Sequence, residues 1–172
     1  NLTLDFTQSI TNNSTFTQTI AGVSTATAAV TGDTIDLTFS EDIYTDGLLV
    51  NDAGTTQDQL NAVASGMVIE VNGRLLDSSK FTLTAASADQ LTLTINDVGN
   101  YVSSTDAINV SYNAPESAAA LVDADGNLTL DFTQSITNNS TFTQTIAGVS
   151  TATAAVTGDT IDLTFSEDIY TD

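Results

Sequence analysis

The sequence predicts an all-β fold: seven short antiparallel strands in a two-sheet sandwich with Greek-key connections, set in a tandem array. Three observations predict it. Apolar and polar residues alternate with period two in stretch after stretch. Turn-forming residues separate those stretches. And residues 1–46 return letter for letter as residues 127–172, a period of 126 residues.

The strands follow in order. Ala26, Ala28 and Val30 alternate weakly before the turn Thr31-Gly32-Asp33-Thr34. Ile35, Leu37 and Phe39 share one face of the second strand. Ile69 and Val71 alternate with Val68 and Glu70 in the third, with Met67 as core filler. Phe81, Leu83 and Ala85 mark the fourth, and Leu91, Leu93 and Ile95 the fifth. Ile108, Val110 and Tyr112 mark the sixth. Leu128, Leu130 and Phe132 would form the buried face of the seventh. Between them stand Gly32-Asp33, Asn72-Gly73, Ala88-Asp89, Val98-Gly99-Asn100 and Asp125-Gly126. Pro115 falls between strands six and seven, where a missing N–H costs nothing. Only Thr56–Ser65 reads as a short helix. Seven such strands, each with one apolar face, bury that face by stacking as two sheets.

The period sets the domain frame. One complete sandwich is expected over residues 22–140. Residues 1–21 carry the last strand of a preceding copy and its linker. Residues 141–172 carry a linker and the first two strands of the next copy. The junction 137–148 is short and holds Phe142, so it should dock. Strand copies 2–6 and 128–132 compete for one slot, which invites domain-swapped association. With no initiator Met, membrane-length apolar run or signal pattern, the chain reads as an internal excerpt. Repetition itself favours a spacer or multivalent binder, since each copy adds reach or avidity.

Charge excludes whole classes of function. The net charge is −20, with Arg74 and Lys80 the only basic residues. Phosphate is repelled, so nucleic acid is not a partner, and an anionic membrane is disfavoured. There is no His or Cys. Zinc, thiol and imidazole chemistry therefore have no ligands here, and a Ser-His-Asp triad is impossible. Glycosidase chemistry needs two carboxylates across a sugar, but no pocket-forming pattern accompanies the acids. The chain does not read as an enzyme. Thr abounds, but it follows strand alternation and not the even coils of an ice-binding array.

Strand connectivity gathers acids at the two ends of the sandwich. The end where the chain enters carries Glu41, Asp42, Asp46, Asn51, Asp52, Asp89, Asp123, Asp125 and Asn127. The opposite end carries Asp33, Asp77, Asp97, Asn100 and Asp106, with Arg74 and Lys80 flanking a nearby turn. Like charges repel by about 1 kcal/mol per pair at 4 Å in water, and more at lower effective dielectric. Ca²⁺ is the natural counter-ion, because it takes six to eight oxygens and needs neither His nor Cys. The candidate metal ligands are Glu41, Asp42, Asp46, Asp89, Asp123, Asp125 and Asn127. Asp123-Ala-Asp125-Gly126-Asn127 resembles the start of a calcium loop, but Gln134 stands where an EF-hand needs its closing acid. The competing interpretation is Asx-turn chemistry on a solubilising surface. A calcium ion at the junction would neutralise facing acidic ends and stiffen the array.

VTGDTIDLTFSEDI from Val30, then MVIEVNG, QLTLTINDVG, DAINVSYNAP and ALVDADGN, resemble the SwmB-type repeat of large bacterial surface adhesins. The most specific pieces are LTFSE (37–41), VSYNAP (110–115) and DADGN (123–127). The resemblance implies an immunoglobulin-like sandwich, stacked as an extracellular, calcium-stabilised extender that projects a distal binding domain from the cell. It implies calcium at Glu41 and the DADGN residues. The insertion from Asp46 to Ser65 departs from the pattern. The alternative is a ligand-binding adhesin domain that recognises glycan or protein through its acidic loops. Tyr44 and Tyr101 stand in loops, but as single aromatics they read as caps on the core or joint.

Overall fold

The computed structural model describes residues 21–115, 120–143, 149–154, 158 and 160–166. The strand expected over 2–6 and the far ends of the linker and next copy lie outside them.

Alternation produces the strands in chain order: β1 (Val23–Ala28), β2 (Thr34–Phe39), β3 (Tyr44–Thr45) and β4 (Leu48–Leu49). Helix α1 (Gln57–Ala64) precedes β5 (Met67–Val71), β6 (Arg74–Leu76), β7 (Phe81–Ser87), β8 (Gln90–Ile95) and β9 (Ile108–Tyr112). Then come β10 (Phe132–Ser135), β11 (Thr137–Asn138), β12 (Val149–Ala154) and β13 (Ile161–Phe165). One sheet runs β11-β1-β2-β8-β7 and a second runs β10-β9-β5-β6. Their inward rows form a single core: Ile35, Leu37, Leu83, Leu91 and Leu93 from the first sheet, Met67, Ile69, Val110 and Tyr112 from the second. This is the two-sheet, all-β architecture that the alternation predicts.

The turns follow their chemistry. Asn72 and Gly73 both have positive φ, as a two-residue hairpin between β5 and β6 requires. Asp46 and Gly47 do the same between β3 and β4. Thr56 caps α1: its Oγ1 accepts from the Gln59 N–H, and the Gln59 Oε1 accepts from the Thr56 N–H at 2.8 Å. Leu60, Val63 and Ala64 are the helix face buried in the core.

Two expectations need correction. Leu128 and Leu130 were to face inward, yet they are 56 % and 66 % exposed while Thr129 between them is buried. The segment does not enter a sheet until Phe132, so its alternation has no pleat to obey; Thr129 N–H instead bonds Leu121 C=O. The fold is also not wholly antiparallel. After β10 pairs with β9, the chain pivots at Ile136, whose N–H bonds Ile108 C=O, and β11 joins β1 in parallel. The last strand thus belongs to both sheets. The hairpins β3–β4 and β5–β6 add strands beyond the seven expected.

The exit segment docks. Ser140 Oγ donates to Val102 C=O at 2.7 Å within the protein, and Thr141 N–H donates to Val30 C=O at 2.9 Å. Ser104 N–H donates to Phe142 C=O, and the Phe142 ring meets Tyr101 edge-on at 5.5 Å. Tyr101 therefore packs on the exit segment. Gly32 makes room for this: at φ +75° a Cβ would strike the Val102 carbonyl and the Ser140 hydroxyl. At the other terminus Ala21 is buried, and Ser40 N–H bonds Gly22 C=O at 2.8 Å.

β12 and β13 repeat β1 and β2 with the same register and the same bulge, Val149↔Phe165 answering Val23↔Phe39. Ile161 is 71 % exposed where its equivalent Ile35 is fully buried. The hairpin geometry is local; the burial is not.

Candidate functional site

The loops expected to meet at the leading end do meet, through backbone. Phe39 N–H donates to Asp89 C=O and Ile43 N–H to Ala88 C=O, both at 2.8 Å. Tyr44 and Val122 exchange two backbone bonds as an isolated antiparallel bridge. The β2–β5, β7–β8 and β9–β10 connections are thereby tied into one surface.

Three of their carboxylates, Asp123, Asp46 and Asp89, are engaged in separate local hydrogen bonds. Asp123 is 3 % exposed. Its Oδ1 accepts from the N–H groups of Asp125 at 2.9 Å and Asn127 at 2.8 Å, and its Oδ2 accepts from Asn127 Nδ2 at 2.7 Å. Asp123 N–H and C=O bond Asn127 C=O and Gly126 N–H. Burial by itself would raise the Asp123 pKa. Hydrogen bonds from the Asn127 side chain and from the Asn127, Asp125 and Gly126 backbone overcome it and hold the carboxyl below its ordinary 3.8. Gly126 supplies the positive φ that closes this turn.

Asp46 opens the β3–β4 turn, and its Oδ2 accepts from Gln59 Nε2 at 3.1 Å. Asp89 Oδ1 accepts from Ser87 Oγ at 2.6 Å. Asp42 and Asp125 are exposed and Glu41 is half-buried. Among the described residues no three acidic side chains converge closely enough to hold a metal ion. The arrangement as it stands is therefore a hydrogen-bonded turn beside scattered surface acids, and it does not fit a ready-made calcium cage. The chemistry of the donors suits calcium; their placement in this conformation does not.

Among the described residues, two buried hydroxyls at this end, Thr45 Oγ1 and Thr129 Oγ1, have no hydrogen-bond partner. Sequence alternation gave no sign of Thr129, because it marked the neighbouring leucines as the buried pair. The Asp46-Gly47 dipeptide was a legible hairpin signal, overshadowed by its place in an acidic series.

At the trailing end the acids behave alike. Asp77 Oδ1 accepts from the Ser79 hydroxyl at 2.6 Å and its N–H at 2.9 Å, which hold its carboxyl below the ordinary value. Asp97 caps the short 3-10 turn Val98–Asn100 through Gly99 N–H. Arg74 donates to Asn100 Oδ1.

No protein-family model and no curated protein matches the chain. Solved structures that it resembles are bacterial S-layer proteins. One, the S-layer protein rSbsC(31-844), aligns at 14 % identity and TM-score 0.44 over 75 % of this chain and 14 % of its own. The N-terminal part of SbsC aligns at 14 % identity and TM-score 0.45, over 75 % of this chain and 25 % of its own. Domains 1–6 of SbsC align at 12 % identity and TM-score 0.44, over 86 % and 18 %. The chain thus spans a quarter or less of each. Likeness at this score carries no argument about role.

Among the described residues, no helix is long and apolar enough to cross a membrane.

Proposed function

We propose that this chain is a stretch of a modular extender at a bacterial cell surface, built of immunoglobulin-like sandwiches of the SwmB type and holding a distal binding domain away from the cell. The observation that carries the reading is one packed unit followed by a second copy of its opening hairpin, residues 148–172 repeating 22–46 letter for letter. Repetition of that kind adds length and no new chemistry. Asp123, the buried acid at the leading end, is engaged as a turn former, which suits a scaffold more than a reaction centre.

Chains carrying two, four and eight copies test it. In rotary-shadowed electron micrographs the contour length should rise in proportion to copy number. A compact particle whose diameter grows only slowly with copy number would overturn the reading.

Calcium stabilisation of the acidic end is part of the proposal. An ion there has to draw Glu41, Asp42 or Asp125 toward Asp123, since no such cluster forms among the described residues. Binding should then raise the melting temperature in millimolar calcium over that in chelator, and Asp123→Ala should abolish the difference. Identical melting curves in calcium and chelator would remove calcium from the proposal and leave the extender standing.

A further inference from the structure

Consecutive copies are joined by very little free chain. Phe142 is bonded to one copy through its carbonyl and ring. Ala147 and Gly148 repeat Ala21 and Gly22, which are anchored at the leading end of their own copy by burial and by Ser40. From Phe142 to Ala147 is five Cα steps, about 17 Å when fully extended. The chain therefore tethers the trailing end of one copy within about 17 Å of the leading end of the next.

Those two ends carry most of the exposed large apolar residues of the complete unit. Leu128 and Leu130 lie at the leading end. Val30, which follows β1, and Val98, which follows β8, lie at the trailing end at 58 % and 59 % exposure. The charges are also unequal. Both basic residues of the chain, Arg74 after the β5–β6 turn and Lys80 before β7, lie at the trailing end, among Asp33, Asp77, Asp97 and Asp106. The leading end presents Glu41, Asp42 and Asp125 to solvent or half-exposed.

We infer that successive copies dock head to tail. Leu128 and Leu130 of one copy cover Val30 and Val98 of the copy before it, and Arg74 and Lys80 face the acidic loops across the joint. The occupant of each apolar end is thus a second copy of this chain's own fold, an interface of the open, heterologous kind that propagates into a filament. This rests on the extender reading and goes beyond it: an array can be long without its joints being stiff. Apolar contact supplies the adhesion and the covalent order sets which ends meet; both ends are net acidic, and Arg74 and Lys80 offset part of that repulsion.

The test uses a chain with two complete copies joined by the native residues 144–146. The sequence has no Cys, so Thr84→Cys on exposed β7 of each copy gives two unique spin-label sites. Pulsed dipolar spectroscopy should report one narrow distance peak. Leu128→Asp with Leu130→Asp in the second copy should broaden it at least twofold. Val30→Asp with Val98→Asp in the first copy should do the same, with each copy's melting temperature nearly unchanged because all four residues are already exposed. A broad native distribution, or a narrow one that neither pair of substitutions alters, would overturn the docked joint. Proportional contour growth in the micrographs would then still stand, so the two failures are distinguishable.

Discussion

The Tyr112 hydroxyl accepts a hydrogen bond from the Leu121 backbone N–H at 2.9 Å, wholly within the protein. It fastens the end of β9 to the loop that leads into β10, and the Tyr112 ring packs on Phe132 at 5.6 Å. Burial, with a smaller contribution from Asp131, raises the Tyr112 pKa against the lowering by Leu121, so the phenol is the neutral form at any ordinary pH. Tyr112→Phe leaves the ring in place and strands a buried N–H. The expected loss is about 1–3 kcal/mol, measured by chemical denaturation. An unchanged unfolding midpoint would show that the loop holds itself.

Asp123 makes stability depend on acid. Its folded pKa lies below the ordinary 3.8, so the unfolded chain takes up the proton first as pH falls. The contribution is fully present above about pH 5, declines as pH drops through the ordinary value, and is gone below the folded one. Asp77 adds in the same sense. Melting temperature should therefore fall between pH 5 and pH 3, and Asp123→Ala should lower the plateau and flatten the fall. A variant that keeps the native slope would place the acid sensitivity elsewhere.

Ile35 and Ile161 are the same residue in two copies of one sequence, one fully buried and the other 71 % exposed. In this 172-residue chain, Ile35→Ala should cost about 2–5 kcal/mol. Ile161→Ala should stay within about 0.5 kcal/mol. Paired urea titrations measure both. Equal effects would mean that the β12–β13 hairpin finds a cover of its own.

Gly32 has the left-handed φ of +75° and abuts Val102 and Ser140. Gly32→Ala should destabilise by more than about 1 kcal/mol, and it should free the exit segment before the core. Hydrogen exchange at Thr141 N–H, normally bonded to Val30, reads this directly. Protection that persists in the variant would show the clamp to be independent of the glycine.

Thr129 Oγ1 is buried and has no hydrogen-bond partner among the described residues. Thr129→Val removes that desolvated hydroxyl at nearly constant shape. It should be neutral or stabilising by up to about 1–2 kcal/mol. A marked loss on thermal melting would reveal that the hydroxyl bonds a water.

Local pattern in the sequence determined the strands with one buried face, the hairpin turns such as Asn72-Gly73 and the capped helix after Thr56. Each is decided by residues within a few positions, through side-chain period, φ preference or capping. The repeat also determined that β12–β13 would copy β1–β2 in register. The Asp123 turn is local in the same way, an Asx turn closed by Asp125, Gly126 and Asn127. The tertiary structure alone decided that Leu128 and Leu130 face outward, that β11 crosses to pair in parallel with β1, and that Ser140 docks on Val102. Those outcomes depend on which backbone groups from distant segments, Leu121, Ile108 and Val102 among them, arrive with unmet hydrogen bonds. Long-range satisfaction of polar groups leaves no period in the sequence, and so the ends of the sandwich were less legible than its faces.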